Sequence, residues 1–268
     1  MRPFTLLLAL LALLSVCPGA TVGQTDRFIP LVQDGGGWST RVSITNLSDK
    51  PATVVAGFLT DKGYGEPWPI ELKVSLGPAS RGTFEGVLAP GATAIIQSSG
   101  AGRAMTRGFA EVIEIADGPI GVQAVLIQKI GEQQIQSLAI GLVPGHERRS
   151  VMPIDLRDPL RSTELLWVSI TSSVVLEVTF RGLDGAAVLT DKVDLDGRAQ
   201  ISLRPVDRWP ELAGFQGTVQ WRVTFPAADR YEPRTLSGLQ LQVGAEGQSW
   251  MVASPMTLAS EQATVSPY

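Results

Sequence analysis

The chain carries one cysteine and one histidine in 268 residues. Each scarcity removes a class of chemistry. Cys17 lies in the leader, so ordinary cleavage leaves a mature protein with no thiol, no disulfide and no cysteine-ligated metal. A lone His146 excludes a metal site built on imidazole. Nucleophilic catalysis needs a base beside the nucleophile, commonly histidine. His146 stands in a short polar stretch, with Glu147 and Asp155 near it in sequence, and reads as a solvated linker residue rather than a triad member. Charge is also sparse. A net charge of −4 implies no nucleic-acid partner. Helical periodicity is nearly absent after the leader, and no second apolar run follows it, so no transmembrane span is expected in the mature chain.

What is present begins with a leader. Arg2 gives a minimal basic start, Phe4 to Val16 is apolar and uncharged, and Cys17 to Gly23 is small and weakly polar. That pattern predicts a secretory signal peptide over 1–23, with cleavage after Ala20 or after Gly23. Leu14-Ser15-Val16-Cys17 resembles a lipobox, but Val16 stands where a smaller residue is usual; Cys17 is a secondary lipidation candidate. About 245 residues remain, enough for two domains of common size. Arg far outnumbers Lys and Asn46 is the only asparagine, a bias pointing to a GC-rich bacterial genome. The sequon at Asn46 would matter only in a eukaryotic host.

The mature chain alternates apolar and polar residues with period two, and Gly and Pro punctuate it at short intervals. This predicts an all-β fold: two tandem immunoglobulin-like antiparallel β-sandwiches. The expected division is 24–144, a linker over 145–150, a second sandwich over 151–260, and a polar tail over 261–268. Val-Ser-Ile-Thr occurs at 42–45 and again at 168–171, so the chain reads as one β unit used twice. Phe58 aligns with Phe180, Gly108 with Gly217, Gly91 and Ile95 with Gly197 and Ile201, and Ile120 to Gln123 with Ser237 to Gln240. Leu47 to Pro51 is expected as a hairpin loop, and Ser172-Ser173 as its tight counterpart. Ile70, Leu72, Val74 and Leu76 mark a strand by strict alternation.

Asp34-Gly35-Gly36-Gly37-Trp38-Ser39-Thr40, the Asn46 to Asp49 loop, Leu88-Ala89-Pro90-Gly91 and Ser98 to Gly102 resemble an uncharacterised secreted bacterial family of tandem immunoglobulin-like modules, whose units run GGGW-T, N-S, PPG and TSG-G along a sandwich. Leu183-Asp184-Gly185, Phe215-Gln216-Gly217 and Ser249 to Val252 look like the companion module. The resemblance implies fold and secretion. It carries no activity and no site residues.

Candidate sites are few. Asp191, Asp194 and Asp196 before Gly197 form the densest acidic cluster and the leading calcium candidate, with Asp34 beside the triglycine a weaker one, but the later bidentate Glu of an EF-hand loop is missing and Asp-Gly suits a hairpin tip. The pairs Glu111 with Glu114 and Asp155 with Asp158 qualify for glycoside hydrolysis only by being acidic. The triglycine precedes a strand, not the helix N-terminus that a phosphate loop uses. Of six tryptophans, Trp167, Trp221 and Trp250 read as core. Trp38, Trp68 and Trp209 fall at strand edges or in loops, where an open indole stacks on a sugar or anchors a partner; Trp68 with Tyr64 is the leading pair. The alternative for these rings is that they cap sandwich ends.

The sequence thus points to a non-catalytic, extracytoplasmic protein, secreted or periplasmic, without cofactor. Its expected work is surface binding or an extracellular structural, adhesin-like role toward an extracellular protein or polysaccharide. One alternative is a carbohydrate-binding module using exposed aromatics. Another is a periplasmic assembly chaperone, for which Arg41, Arg148 and Arg149 would line a cleft between domains.

Overall fold

The computed structural model describes residues 27–62, 68–76, 79–114, 119–130, 133–140, 143–144, 149–169, 173–224, 236–244, 249–253 and 256–257. The leader with Cys17, Tyr64, His146, Glu147, Arg148 and the tail over 261–268 lie outside the described residues. So does the side chain of Trp250.

The first half contributes β1 (Arg27–Asp34), β2 (Trp38–Asn46), β3 (Ala52–Thr60), β4 (Leu72–Val74), β5 (Ala79–Ser80), β6 (Thr83–Leu88), β7 (Thr93–Ser98), β8 (Thr106–Glu114), β9 (Ile120–Ile130), β10 (Gln133–Ile140) and β11 (Val143–Pro144). The second contributes β12 (Arg149–Asp155), β13 (Arg161–Ser169), β14 (Val174–Gly182), β15 (Ala187–Leu195), β16 (Gln200–Leu203), one helical turn α1 (Pro205–Arg208), a 3-10 turn over Pro210–Leu212, β17 (Gln216–Thr224), β18 (Leu236–Gly244), β19 (Ser249–Ala253) and β20 (Met256–Thr257). The pairings are antiparallel.

Four sheets result. Sheet I runs β11-β1-β8-β3-β6-β5 and sheet II β10-β9-β2-β7-β4; sheet III runs β15-β14-β17-β12-β20 and sheet IV β16-β13-β18-β19. The inward residues of sheets I and II, among them Ile29, Phe58, Val42 and Ile96, form one core. Those of sheets III and IV, among them Met152, Phe180, Leu165 and Trp167, form another. Alternation along each strand makes this possible, because one face is apolar and the other is not. The fold is an all-β sandwich architecture.

The strand orders of the two halves correspond. β3, β8 and β1 are central in sheet I as β14, β17 and β12 are in sheet III, and β7-β2-β9-β10 matches β16-β13-β18-β19. In sheets I and III the sequence alignment gives the right register: Phe58 pairs with Ala110 as Phe180 pairs with Val219. In sheets II and IV it does not. The Asn46 N–H donates to the Ala92 carbonyl and the Ser169 N–H to the Ala199 carbonyl, and positive φ falls at Gly91 and at Arg198, each just before those alanines. Asn46 therefore corresponds to Ser169, and Arg198, not Gly197, to Gly91. The two Val-Ser-Ile-Thr copies are displaced by three positions, an odd number, which turns every side chain to the other face. Val42 points into its own core, whereas Val168 points out of its sandwich and packs with Phe28, Leu59 and Phe109. The Gly91–Ile95 and Ile120–Gln123 alignments are each displaced by one.

Two expected hairpins are also corrected. β2 belongs to sheet II and β3 to sheet I, so Leu47 to Pro51 carries the chain across the sandwich. β13 and β14 are likewise in different sheets, so they do not form the tight hairpin expected at Ser172-Ser173. Asp196-Gly197 joins β15 to β16 across sheets III and IV and is not a hairpin tip. The tip lies at Leu183-Asp184-Gly185, where Asp184 Oδ1 accepts the Ala186 N–H and Gly185 has φ of 82°. The strand expected from Ile70 to Leu76 is confined to Leu72–Val74.

Candidate binding surface

The triglycine is a structural device. Gly35, Gly36 and Gly37 all take positive φ, which a side chain resists. A Cβ on Gly35 would lie 2.3 Å from the Ala104 carbonyl oxygen. The turn they make lets the Gly36 N–H donate to the Gly102 carbonyl at 2.7 Å and the Lys129 N–H donate to the Gly37 carbonyl at 2.8 Å. Asp34 accepts the Gly100 N–H at 2.8 Å. The segment from Asp34 to Trp38 and the segment from Ser98 to Gly102 are thus latched together. The Asn46 loop and Pro90-Gly91 are latched in the same way. Buried Asn46 donates its side-chain amide to the Lys50 and Leu88 carbonyls, and its oxygen accepts from Ser48. That amide is not presented for modification.

The first latch walls a polar recess of about 320 Å³ on the outer side of sheet II. Lys73, Lys129, Gln97, Ser39 and Ser99 line it. Arg41 stands in the same row as Gln97 and Lys73 and donates through Nε and Nη2 to Gln97 Oε1, at 3.1 and 3.0 Å. Gln97 in turn donates to Ser39 Oγ at 3.4 Å. Sequence reasoning missed Lys73, Lys129 and Gln97. The available signal was that the described strands of sheet II hold no Asp or Glu.

Among the described residues, the three tryptophans expected in an aromatic platform are buried, and Tyr64 lies outside the described residues. Trp38, Trp68 and Trp209 are 6%, 5% and 5% exposed. Trp68 follows the 63–67 segment and lies over Gly108, where an added Cβ would meet the indole at 2.9 Å. Its backbone N–H donates to the Phe58 carbonyl. Trp209 packs edge-on against Phe180, its centroid 5.1 Å away, with the Arg208 guanidinium over its other side at 5.3 Å. Its indole N–H donates to Asp191 at 2.8 Å. Trp38 and Trp68 belong to the core of the first half and Trp209 to that of the second. Trp167 and Trp221 are core, as expected, and meet edge to face at 5.9 Å.

The acidic candidates do not converge. Asp191 shares the inward side of β15 with Val193, while Asp194 lies on the outer side. Asp191 is occupied by Trp209 and Arg208, and the indole hydrogen bond, then a backbone N–H, then Arg208, hold its carboxyl below the usual range. No group of three His, Cys, Asp or Glu side chains is poised for a metal among the described residues. Glu111 and Glu114 fall on opposite faces of β8 by strand alternation. Asp155 pairs with Arg157 at 2.6 Å, which lowers its carboxyl to about 2, and Asp158 pairs with Arg161. Arg41 belongs to sheet II and Arg149 to sheet III, and Arg148 lies outside the described residues.

The halves instead meet through a filled junction. The outer face of sheet I, with Phe28, Leu59 and Phe109, packs on the outer face of sheet IV, with Val168. Leu166 of sheet IV joins the core of the first half. Glu164 receives Arg107 at 2.6 Å, Ser202 at 3.3 Å and Arg204 at 3.6 Å. Gln200 donates its side-chain amide to the Pro30 and Gly108 carbonyls. Pro30 lies where the β1–β8 register slips, so the slip frees a carbonyl that the other half caps.

No protein-family model, curated protein or solved structure matches this chain.

Proposed function

We propose that this is a secreted or periplasmic, non-catalytic bacterial protein, built from one immunoglobulin-like β unit used twice, that works by surface binding or as a rigid adhesin-like spacer. The observation that carries the reading is the junction. Two outer sheet faces are buried against each other by apolar packing, an ion pair and a capped pair of carbonyls, while the corresponding outer face of sheet II is left open, polar and cationic. The packing of the described junction residues supports a non-catalytic reading. The corresponding strand orders support the duplicated unit, and the leader supports export. Burial of Trp38, Trp68 and Trp209 weighs against the aromatic form of the carbohydrate-binding reading, and the dispersed arginines weigh against an assembly chaperone.

Expression of the full precursor in a bacterial host, with fractionation and N-terminal sequencing, tests the reading. The expected product is extracytoplasmic and begins after Ala20 or Gly23. An unprocessed cytoplasmic protein, or glycosidase or esterase turnover on a substrate panel, contradicts it.

A further inference from the structure

The open face of sheet II holds the same place in its sandwich that the docked face of sheet IV holds in the other. Position by position the chemistry differs. Glu164, Leu166 and Val168 reach the junction, and their counterparts on sheet II are Arg41, Ser43 and Thr45. A face that grips protein in one half has become hydroxylated and basic in the other.

We propose that this face binds an acidic polysaccharide, a chain of hydroxylated sugars bearing carboxylates at intervals. The inference deepens, and rests on, the reading of the protein as an extracytoplasmic binding module. Charge complementarity is the first argument. The molecule is acidic overall, with net charge −4. Yet the charged side chains on the described strands of sheet II are Arg41, Lys73 and Lys129, with no Asp or Glu among them. Among the described residues, Glu71 is exposed just before β4 at the rim, and buried Asp34 lies behind the wall, bonded to the Gly100 N–H.

Spacing is the second argument. Arg41 and Lys73 both stand opposite Gln97, so they share one row across three strands, about 10 Å apart at the usual strand separation. Lys129 is bonded to Gly37, four positions along β2 from Arg41, or about 13 Å. Separations of that size suit acidic groups strung along a polymer, not one small anion.

The third argument is the surface between the cations. Ser43, Thr45, Thr93 and Gln97 offer hydroxyl and amide groups; Thr45 and Thr93 stand 2.9 Å apart. Such groups exchange hydrogen bonds with sugar hydroxyls. Ile95 is the large apolar residue exposed there, too little for a lipid surface, and among the described residues no exposed ring stands on that face to stack on a nucleobase. Affinity should therefore be electrostatic and salt-sensitive.

Titration calorimetry of the mature chain with polygalacturonate, dextran and duplex DNA tests the proposal. The expected result is binding of polygalacturonate that weakens as salt rises, with no binding of neutral dextran and weaker binding of DNA. Lys73→Ser with Lys129→Ser should keep the melting temperature and weaken polygalacturonate binding about two- to thirtyfold, the scale for losing two surface charge contacts. Lys192→Ser on sheet III should change nothing. Absence of polygalacturonate binding, an unchanged affinity in the double variant, or DNA bound as tightly overturns the proposal. A processed, extracytoplasmic chain that ignores polygalacturonate sinks this inference alone, whereas a cytoplasmic chain sinks the functional reading beneath it.

Discussion

Arg107 of the first half lies 2.6 Å from Glu164 of the second, whose side chain is only 7% exposed. The carboxylate also faces Arg204 and Ser202. Removing it strands a partly buried guanidinium at an apolar junction. Glu164→Ala should cost roughly 3 kcal/mol, the low end for breaking a buried pair because Arg107 keeps some contact with water. Replacing both Arg107 and Glu164 with Leu should cost less than Glu164→Ala alone. Urea unfolding of the three variants measures the difference.

Gln200 binds two carbonyls of the other half with one amide group. Gln200→Ala removes the donor that reaches the Pro30 and Gly108 oxygens and should destabilise by about 1–3 kcal/mol. Gln200→Glu should be worse, since a carboxylate presents no donor to either carbonyl. Chemical denaturation reads both.

The buried indoles make a prediction opposite to that of a sugar platform. Trp68→Ala and Trp209→Ala should each cost about 3–5 kcal/mol, and polysaccharides should leave the tryptophan fluorescence of the wild type unquenched. Gly108→Ala should also destabilise, because its Cβ would sit 2.1 Å from the Leu59 carbonyl oxygen and 2.9 Å from the Trp68 ring.

Asp191 gives a pH dependence with a defined sign. The Trp209 indole N–H, with a backbone N–H and Arg208 behind it, lowers the carboxyl in the folded protein. A lowered folded value contributes stability above the ordinary aspartate range, near 4, which is lost as pH falls through the folded value. The stability gap between wild type and Trp209→Phe should therefore narrow from neutral pH to strongly acid pH. A gap that is constant across that range would mean that the indole does not act through Asp191.

Some of this architecture is legible in the residues alone, and the reason the rest is not is physical. Phe58 with Phe180, and Gly108 with Gly217, align correctly because sheets I and III keep inward apolar and tight glycine positions in phase. Leu165-Leu166-Trp167-Val168 erases that phase. Leu165 and Trp167 fill their own sandwich while Leu166 and Val168 fill the junction, so both faces are apolar and alternation no longer marks which side is in. The shared Val-Ser-Ile-Thr then draws the alignment into the wrong register. The exposure of Trp38, Trp68 and Trp209 was illegible for a related reason: a ring at a loop can turn outward or close the sandwich end, and only the neighbours Gly108, Phe180 and Asp191 decide. The polar recess needed β2, β4, β7 and β9 placed side by side before Lys73 and Lys129 met Arg41.

The measurement that bears most directly on the central claim is scanning calorimetry of the mature chain, because a filled junction makes the two halves unfold as one. The expected result is a single transition whose calorimetric and van't Hoff enthalpies agree, and which splits or broadens in Glu164→Ala. Two independent transitions in the wild type, or a calorimetric enthalpy about twice the van't Hoff value, would mean that the halves are separate beads and that the account of a rigid, docked body is wrong.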